Sequence, residues 1–163
     1  MKRRGWMLGL AAFAMLLLVA QLVPYGRGHV NPPAGTPVAF DTPGTQRLAE
    51  RACYDCHSNR TRWPWYASVA PVSWLVQRDV VEGREKLDFT AFDPRNEHVA
   101  DAVKEAAETV RKGEMPLRGY LLMHPDARLS GAERRQLAQG LAATFAPFGG
   151  AAGGEGEEGE DRD

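Results

Sequence analysis

The chain has 163 residues, 44% of them hydrophobic and 25% charged, with 20 Lys and Arg against 21 Asp and Glu. That length holds one modest domain, and the near balance of charge leaves no basic surface for nucleic acid. Only two cysteines occur, Cys53 and Cys56, too close together to staple a fold by closing a useful loop.

The charge is unevenly placed. Lys2, Arg3 and Arg4 precede an apolar run over residues 6–23, in which Gln21 is the one strongly polar residue. Eighteen helical residues span roughly 27 Å, enough for a bilayer core. The basic residues keep the N-terminus cytoplasmic and send the rest outward, while Trp6 and Tyr25 flank the run where aromatic rings favour the interface. A cleaved signal peptide shares the basic and apolar regions. Against it, the run is long, and Leu18 is too bulky for a small-x-small site ending at Ala20. The sequence therefore reads as one N-terminal transmembrane helix, residues 1–23. Either reading exports residues 24–163.

Residues 24–44 are dense in Pro and Gly and predict an extended, irregular tether. A domain over 45–148 follows. Its helical patterns run from Thr45 to about Asp55, from Pro71 to Glu85 (Val72, Leu75, Val76, Val80) and from Asn96 to Lys112. In the last of these, Val99, Val103, Ala106 or Ala107 and Val110 form one stripe, and Gly113 stands at the stop. Ser130 and Glu133 make a capping box for a final helix with Leu137, Leu141 and Phe145 inward. Residues 149–163 hold Gly, Ala, acidic residues and Arg162, with no large apolar side chain, the composition of a disordered tail. The fold class is all-α with long irregular connections.

Cys53-Tyr54-Asp55-Cys56-His57 has the c-type haem attachment spacing. Two intervening residues place the sulfurs at the separation of the two haem vinyl groups, and the histidine that follows lies beneath the iron. A thioredoxin-like pair expects a βαβ setting that is missing here. A zinc site needs more ligands than the spacing offers, and an inert disulfide is the third alternative. Opposite His57, the thioethers outside the membrane run are Met115 and Met123. Met115, in Gly113-Glu114-Met115-Pro116, lies on a loop beyond a helix end that Pro116 stiffens. It is preferred to Met123, His124 and His98, although filling core space is the commoner role of methionine. After the motif come Arg60, Arg62, Trp63, Trp65 and Tyr66. Aromatic rings pack on a porphyrin, and Arg side chains or Trp and Tyr tips can bond its propionates. Ordinary packing and solvated charge explain the same residues equally well. Trp74, on the following helix, reads as core.

The sequence resembles a bacterial haem-binding domain family of small membrane-anchored c-type cytochromes. The resemblance is carried by QLVPYGR (21–27) with Asn31-Pro32-Pro33, CYDCHSNRTRWPWY (53–66), APVSWLVQRDVVEGREKLDF (70–89), GEMP (113–116) and YLLMHPDARLS (120–130). It implies a cytochrome c-like fold, covalent haem c at Cys53 and Cys56, His57 as proximal ligand and Met115 at the methionine-proline position. Leu117 stands where family members often have a second proline. The expected function is one-electron transfer at the periplasmic face of a bacterial inner membrane, with a protein redox partner. The chain reads as a carrier rather than an enzyme. A haem-based sensor is the alternative, and a peroxidase a weaker one, since no acid–base constellation accompanies the single motif.

Overall fold

The computed structural model describes residues 2–149, so the acidic tail from residue 150 onward lies outside the described residues. Those residues form helices and irregular connections, with no strand among them. Helix α1 (Lys2–Ala20) exposes its apolar side chains all round. A helix apolar on every side belongs in a membrane or a core, and none of Arg3–Ala20 is buried against the rest of the chain. By length and composition it can span a bilayer; a leader sequence passes the same test. The helix stops at Ala20, short of the full apolar run, where Gln21 begins a turn.

Residues 24–44 have no regular secondary structure until Pro43, as their composition implies, yet they lie along the domain as a strap. The Gly35 N–H donates to the Thr90 carbonyl at 2.9 Å and the Val38 N–H to that of Phe89 at 2.8 Å. Asn31 Nδ2 donates to the Thr61 carbonyl at 2.9 Å. Gly26 takes φ +79° and lies so close to the Ser73 backbone that a Cβ would collide with it.

Helix α2 (Pro43–Ala52) starts at a Thr42 cap and carries proline in its first turn, where a missing N–H costs nothing. It breaks at Cys53 (φ −123°, ψ −30°), and the one-turn helix α3 (Tyr54–His57) begins at once. Helix α4 (Val72–Lys86) follows a short 3-10 turn at Trp65–Ser68. Helix α5 (Glu97–Lys112) runs from an Asn96 cap to a left-handed Gly113, an αL stop that glycine adopts without strain. The six-residue α6 (Arg118–Met123) escaped the sequence reading; it is too short for a periodic pattern. Helix α7 (Gly131–Phe145) starts at the Ser130–Glu133 capping box that the sequence predicts.

The core joins α2, α5 and α7 through Leu48, Val99, Val103, Val110, Leu137, Leu141 and Phe145. Phe89, in the connection after α4, stacks on Tyr54 at 5.6 Å and on Phe145 at 6.4 Å. Full burial of each such side chain stabilises the fold by roughly 1.5–3 kcal/mol. Helix α7 crosses α2 where Gly140 meets Thr45, a contact with no room for a Cβ.

Helix α4 departs from its expected stripe. It buries Ser73, Val80 and Gly83, leaving Val72 and Leu75 exposed. The reason is the closeness of α3: a Cβ on Gly83 would lie 2.6 Å from the Cys56 carbonyl oxygen. The packed face of α4 therefore carries Ser73, Val80 and Gly83, with Val72 and Leu75 turned away.

Candidate functional site

The cysteine–histidine segment occupies the break between α2 and α3. Cys53 caps both helices, and its carbonyl accepts from the Cys56 N–H at 3.1 Å and the His57 N–H at 2.9 Å. The two cysteines and His57 are thus set on one helical turn. Both thiols are free and half-buried. Burial, reinforced at Cys53 by Cys56 and at Cys56 by Asp79, pushes each up to about 12. A redox dithiol works through a thiolate with a depressed value, so this environment is the reverse of a thioredoxin-like one. Among the described residues no group of three or more His, Cys, Asp or Glu is placed to hold a metal ion.

The environment of His57 determines its tautomer. Its Nδ1 lies 3.0 Å from the Leu87 carbonyl oxygen. A carbonyl only accepts, so Nδ1 carries the proton and Nε2 keeps its lone pair. Burial holds the imidazole below its ordinary value, outweighing the contrary effects of the Leu87 and Gly83 carbonyls and of Asp88, which favours the neutral ring that a metal ligand needs. The Phe89 N–H returns a bond to the His57 carbonyl at 2.8 Å. Asp88 stiffens the same segment by accepting from the Thr90 N–H and hydroxyl at 2.7 Å each. A ligating histidine held through its other ring nitrogen by a backbone carbonyl is the usual outer-shell arrangement of metal and haem sites.

The candidate distal groups sit in unlike places. Met115 is half-buried against the core, its carbonyl accepting from Arg134 Nη1 at 3.3 Å. Arg134 also bonds the Val110 carbonyl at 3.1 Å, fixing the end of α5 and the methionine loop together. Met123 is 57% exposed. Both ring nitrogens of His124 are engaged, Nδ1 with the Tyr120 carbonyl at 3.0 Å and Nε2 with the Tyr66 hydroxyl at 3.3 Å. His98 is exposed in the first turn of α5.

The aromatic and arginine residues after the motif do not form one cluster. Trp63 stacks on His29 of the strap at 4.9 Å and donates Nε1–H to Asn31 at 3.1 Å. Trp65 is 77% exposed. Tyr66 meets Trp65 edge-on and bonds His124. Arg60 is exposed, and its backbone N–H donates to Ser58. Arg62 forks onto Asp55, Nε to Oδ1 at 3.2 Å and Nη2 to Oδ2 at 3.1 Å. Trp74 is half-buried, with its indole N–H unpartnered.

Asp55 is the residue that the sequence reading passed over. It is buried inside the motif and also accepts from the Tyr120 hydroxyl at 2.8 Å. Burial alone would raise its carboxyl, but the bonds from Arg62 and Tyr120 outweigh that and hold it below the ordinary carboxylate value. The same bond, with burial, pushes the Tyr120 hydroxyl up. Arg84 was also missed. It reaches the Ser58 carbonyl, the Val30 carbonyl, Asn31 and Thr61 within 2.8–3.0 Å, tying strap and post-motif loop to α4. A glycine inside a helical pattern without a stop, as at Gly83, was the one available sign of a close approach.

A family model described as a haem-binding domain matches residues 15–143. No curated protein matches the chain, and no solved structure does.

Proposed function

The chain belongs to the haem-binding domain family, and from that premise we propose that it is a mono-haem c-type cytochrome, an electron carrier anchored at the periplasmic face of a bacterial inner membrane. The observation that carries this reading is His57, with Nδ1 held by the Leu87 carbonyl and Nε2 left with its lone pair, one residue beyond the second of two free, half-buried thiols. These residues fit the group: Cys53 and Cys56 would hold it by thioether bonds and His57 would be its proximal ligand. Bound there, haem c supplies a one-electron iron couple.

Met115 is our distal ligand. Its loop is fixed by Arg134, whereas Met123 lies exposed and His124 has both ring nitrogens occupied. Histidine–methionine ligation raises the potential and leaves no open position, which suits electron transfer better than gas or peroxide chemistry. The polar contacts of Arg62 and Trp63 lie with Asp55 and the strap, so their proposed role is to stiffen the motif's surroundings. Arg60 and Tyr66 remain candidate haem-contacting residues, whereas Trp65 projects away from the chain, 77% exposed.

The strap limits where a leader could be cut. Gln21 bonds the Ala70 backbone through both ends of its amide, and Gly26 packs on Ser73. Cleavage beyond these residues would discard contacts that the domain uses. The domain boundaries we propose are 1–23 for the anchor, 24–44 for the strap, 45–148 for the haem domain and 149–163 for the acidic tail.

The test is the optical and near-infrared spectrum of the full chain matured with haem, before and after acid–acetone extraction. The haem stays with the polypeptide, and the ferric protein shows the weak far-red band of thioether ligation. In Met115→Ala the band disappears, attachment survives, and the potential falls if a nitrogen ligand takes over. Complete extraction of the haem sinks the c-type assignment. A band that persists in Met115→Ala but vanishes in Met123→Ala moves the ligand and leaves the cytochrome standing. A large ferrous spectral change on adding carbon monoxide to the unaltered protein would favour the sensor instead.

A further inference from the structure

The end of α1 is clamped to one corner of the domain. Gln21 Nε2 donates to the Ala70 carbonyl at 2.8 Å and to the Leu17 carbonyl, still inside α1, at 2.9 Å. Its Oε1 accepts from the Ala70 N–H at 3.1 Å and from Arg27 Nη2 at 2.9 Å. One side chain therefore holds the last turn of the apolar helix, the strap and the start of α4 together. Gly26 fixes the same corner from the strap side, pressed on the Ser73 backbone.

The surface around this clamp is apolar and exposed. Trp65 (77%) and Val69 (42%) precede Ala70, and Val72 (42%) and Leu75 (50%) follow it on the first turn of α4. Leu22, Val23 and Tyr25 are exposed on the chain leaving α1. Val72 and Leu75 lie three apart on α4, on one face and roughly 4.5 Å apart along its axis. The apolar surface ends one turn later at Arg78, which pairs with Asp79 and Glu82. An apolar patch carrying a projecting tryptophan, then a charged turn, is the order of groups met on passing from acyl chains to water at a bilayer surface.

We propose that this corner, Trp65 and Val69 with Val72 and Leu75, lies in the lipid interface and fixes the attitude of the domain on the membrane. The proposal rests on the anchor reading and adds to it. The occupant is the bilayer because the patch is continuous with the end of the candidate span and held to it by Gln21. A domain hung on a free linker would have no such fixed neighbour. With the corner docked, the domain turns a constant face to the membrane and a constant face to partners.

Full-length haem-loaded protein is reconstituted in phosphatidylcholine vesicles containing a phospholipid with a diazirine in its acyl chain, irradiated, digested and mapped by mass spectrometry. Adducts are expected on α1 and on residues 65–75, with α5 and α7 unlabelled. In the double variant Trp65→Ser, Leu75→Gln the adducts on 65–75 are lost while those on α1 stay. Both side chains are largely exposed, and an unchanged haem spectrum verifies the fold. Labelling of α1 without labelling of 65–75 in the unaltered protein overturns the proposal, showing the corner covered by haem, by a second copy or by water. Absence of adducts on α1 itself overturns the anchor reading, and the proposal with it.

Discussion

Around Phe145 the chain is held by apolar packing: α5 and α7 meet through Val99, Val103, Val110, Leu137 and Leu141, with Phe89 and Phe92 closing the end. Around His57 it is held by directed polar bonds. Leu87, Asp55, Arg62, Arg84 and Tyr120 fix the motif and its neighbours, and α6 has no buried residue at all. The two regions have different tolerances. Apolar packing is strong and non-directional, so it accepts a reshaped side chain but not a lost one. A network of hydrogen bonds contributes less in total, yet it fixes orientation, which is what a ligating imidazole requires.

Substitutions can break that contrast in order of expected size. Phe145→Ala, in the packed half, should cost about 3–5 kcal/mol by denaturant unfolding. The fraction that remains folded should keep an unaltered haem spectrum. If the far-red band moves in that fraction, the two halves are not separable in the way described.

Gly83→Ala inverts the pattern. The added methyl meets the Cys56 carbonyl at 2.6 Å, so α4 must shift away from α3, at about 1–3 kcal/mol. The larger consequence should be at the site, as a reduced yield of attached haem on heterologous maturation. Unchanged yield would show that α3 keeps its attachment geometry without α4 at this distance.

Tyr120→Phe removes one bond to Asp55 and leaves the Arg62 fork. The expected loss is about 1.5 kcal/mol, the low end of the range for a hydrogen bond to a charged group because Tyr120 is only half-buried. Because α6 buries nothing, the effect should concentrate there, as faster amide hydrogen exchange over 118–123 with α5 and α7 unaffected. Uniform acceleration across the chain would mean that α6 does not open independently.

The smallest effect is at Glu133. Bonds from the Ser130 backbone, from Arg51 and from the Ser130 side chain hold its carboxyl at about 2, below the ordinary 4.5. A depressed carboxyl contributes stability that is complete above about 4.5 and lost as pH falls towards 2. Glu133→Gln should flatten the acid limb of the stability profile over that window and leave the neutral spectrum unchanged. An acid limb identical to that of the unaltered protein would remove Glu133 from the account.

Much of the α2–α5–α7 half was legible in the chain. The stripe of Val99, Val103 and Val110, the stop at Gly113 and the Ser130–Glu133 box each depend on residues within a few positions of one another. The Cys53–His57 motif was legible for the same reason, since its spacing lies within one helical turn. Helix α4 misled in part: Val80 of its expected stripe is buried, but beside Ser73 and Gly83, while Val72 and Leu75 are exposed.

By itself, then, the sequence determined an all-helical chain, an apolar N-terminal helix, the main helices with their caps, and a cysteine–histidine motif of haem-attachment spacing. Only the tertiary structure decided what those elements face. The strap docks along the domain, Gln21 clamps the end of α1 to Ala70, Asp55 receives Tyr120 from 65 positions away, and Leu87 sets the tautomer of His57 from 30 away. Local spacing follows from the geometry of a single helix, which the sequence carries. The partner of a polar group depends on which distant segments the burial of Phe89 and Phe145 brings together, and that is settled only when the chain has closed on its core.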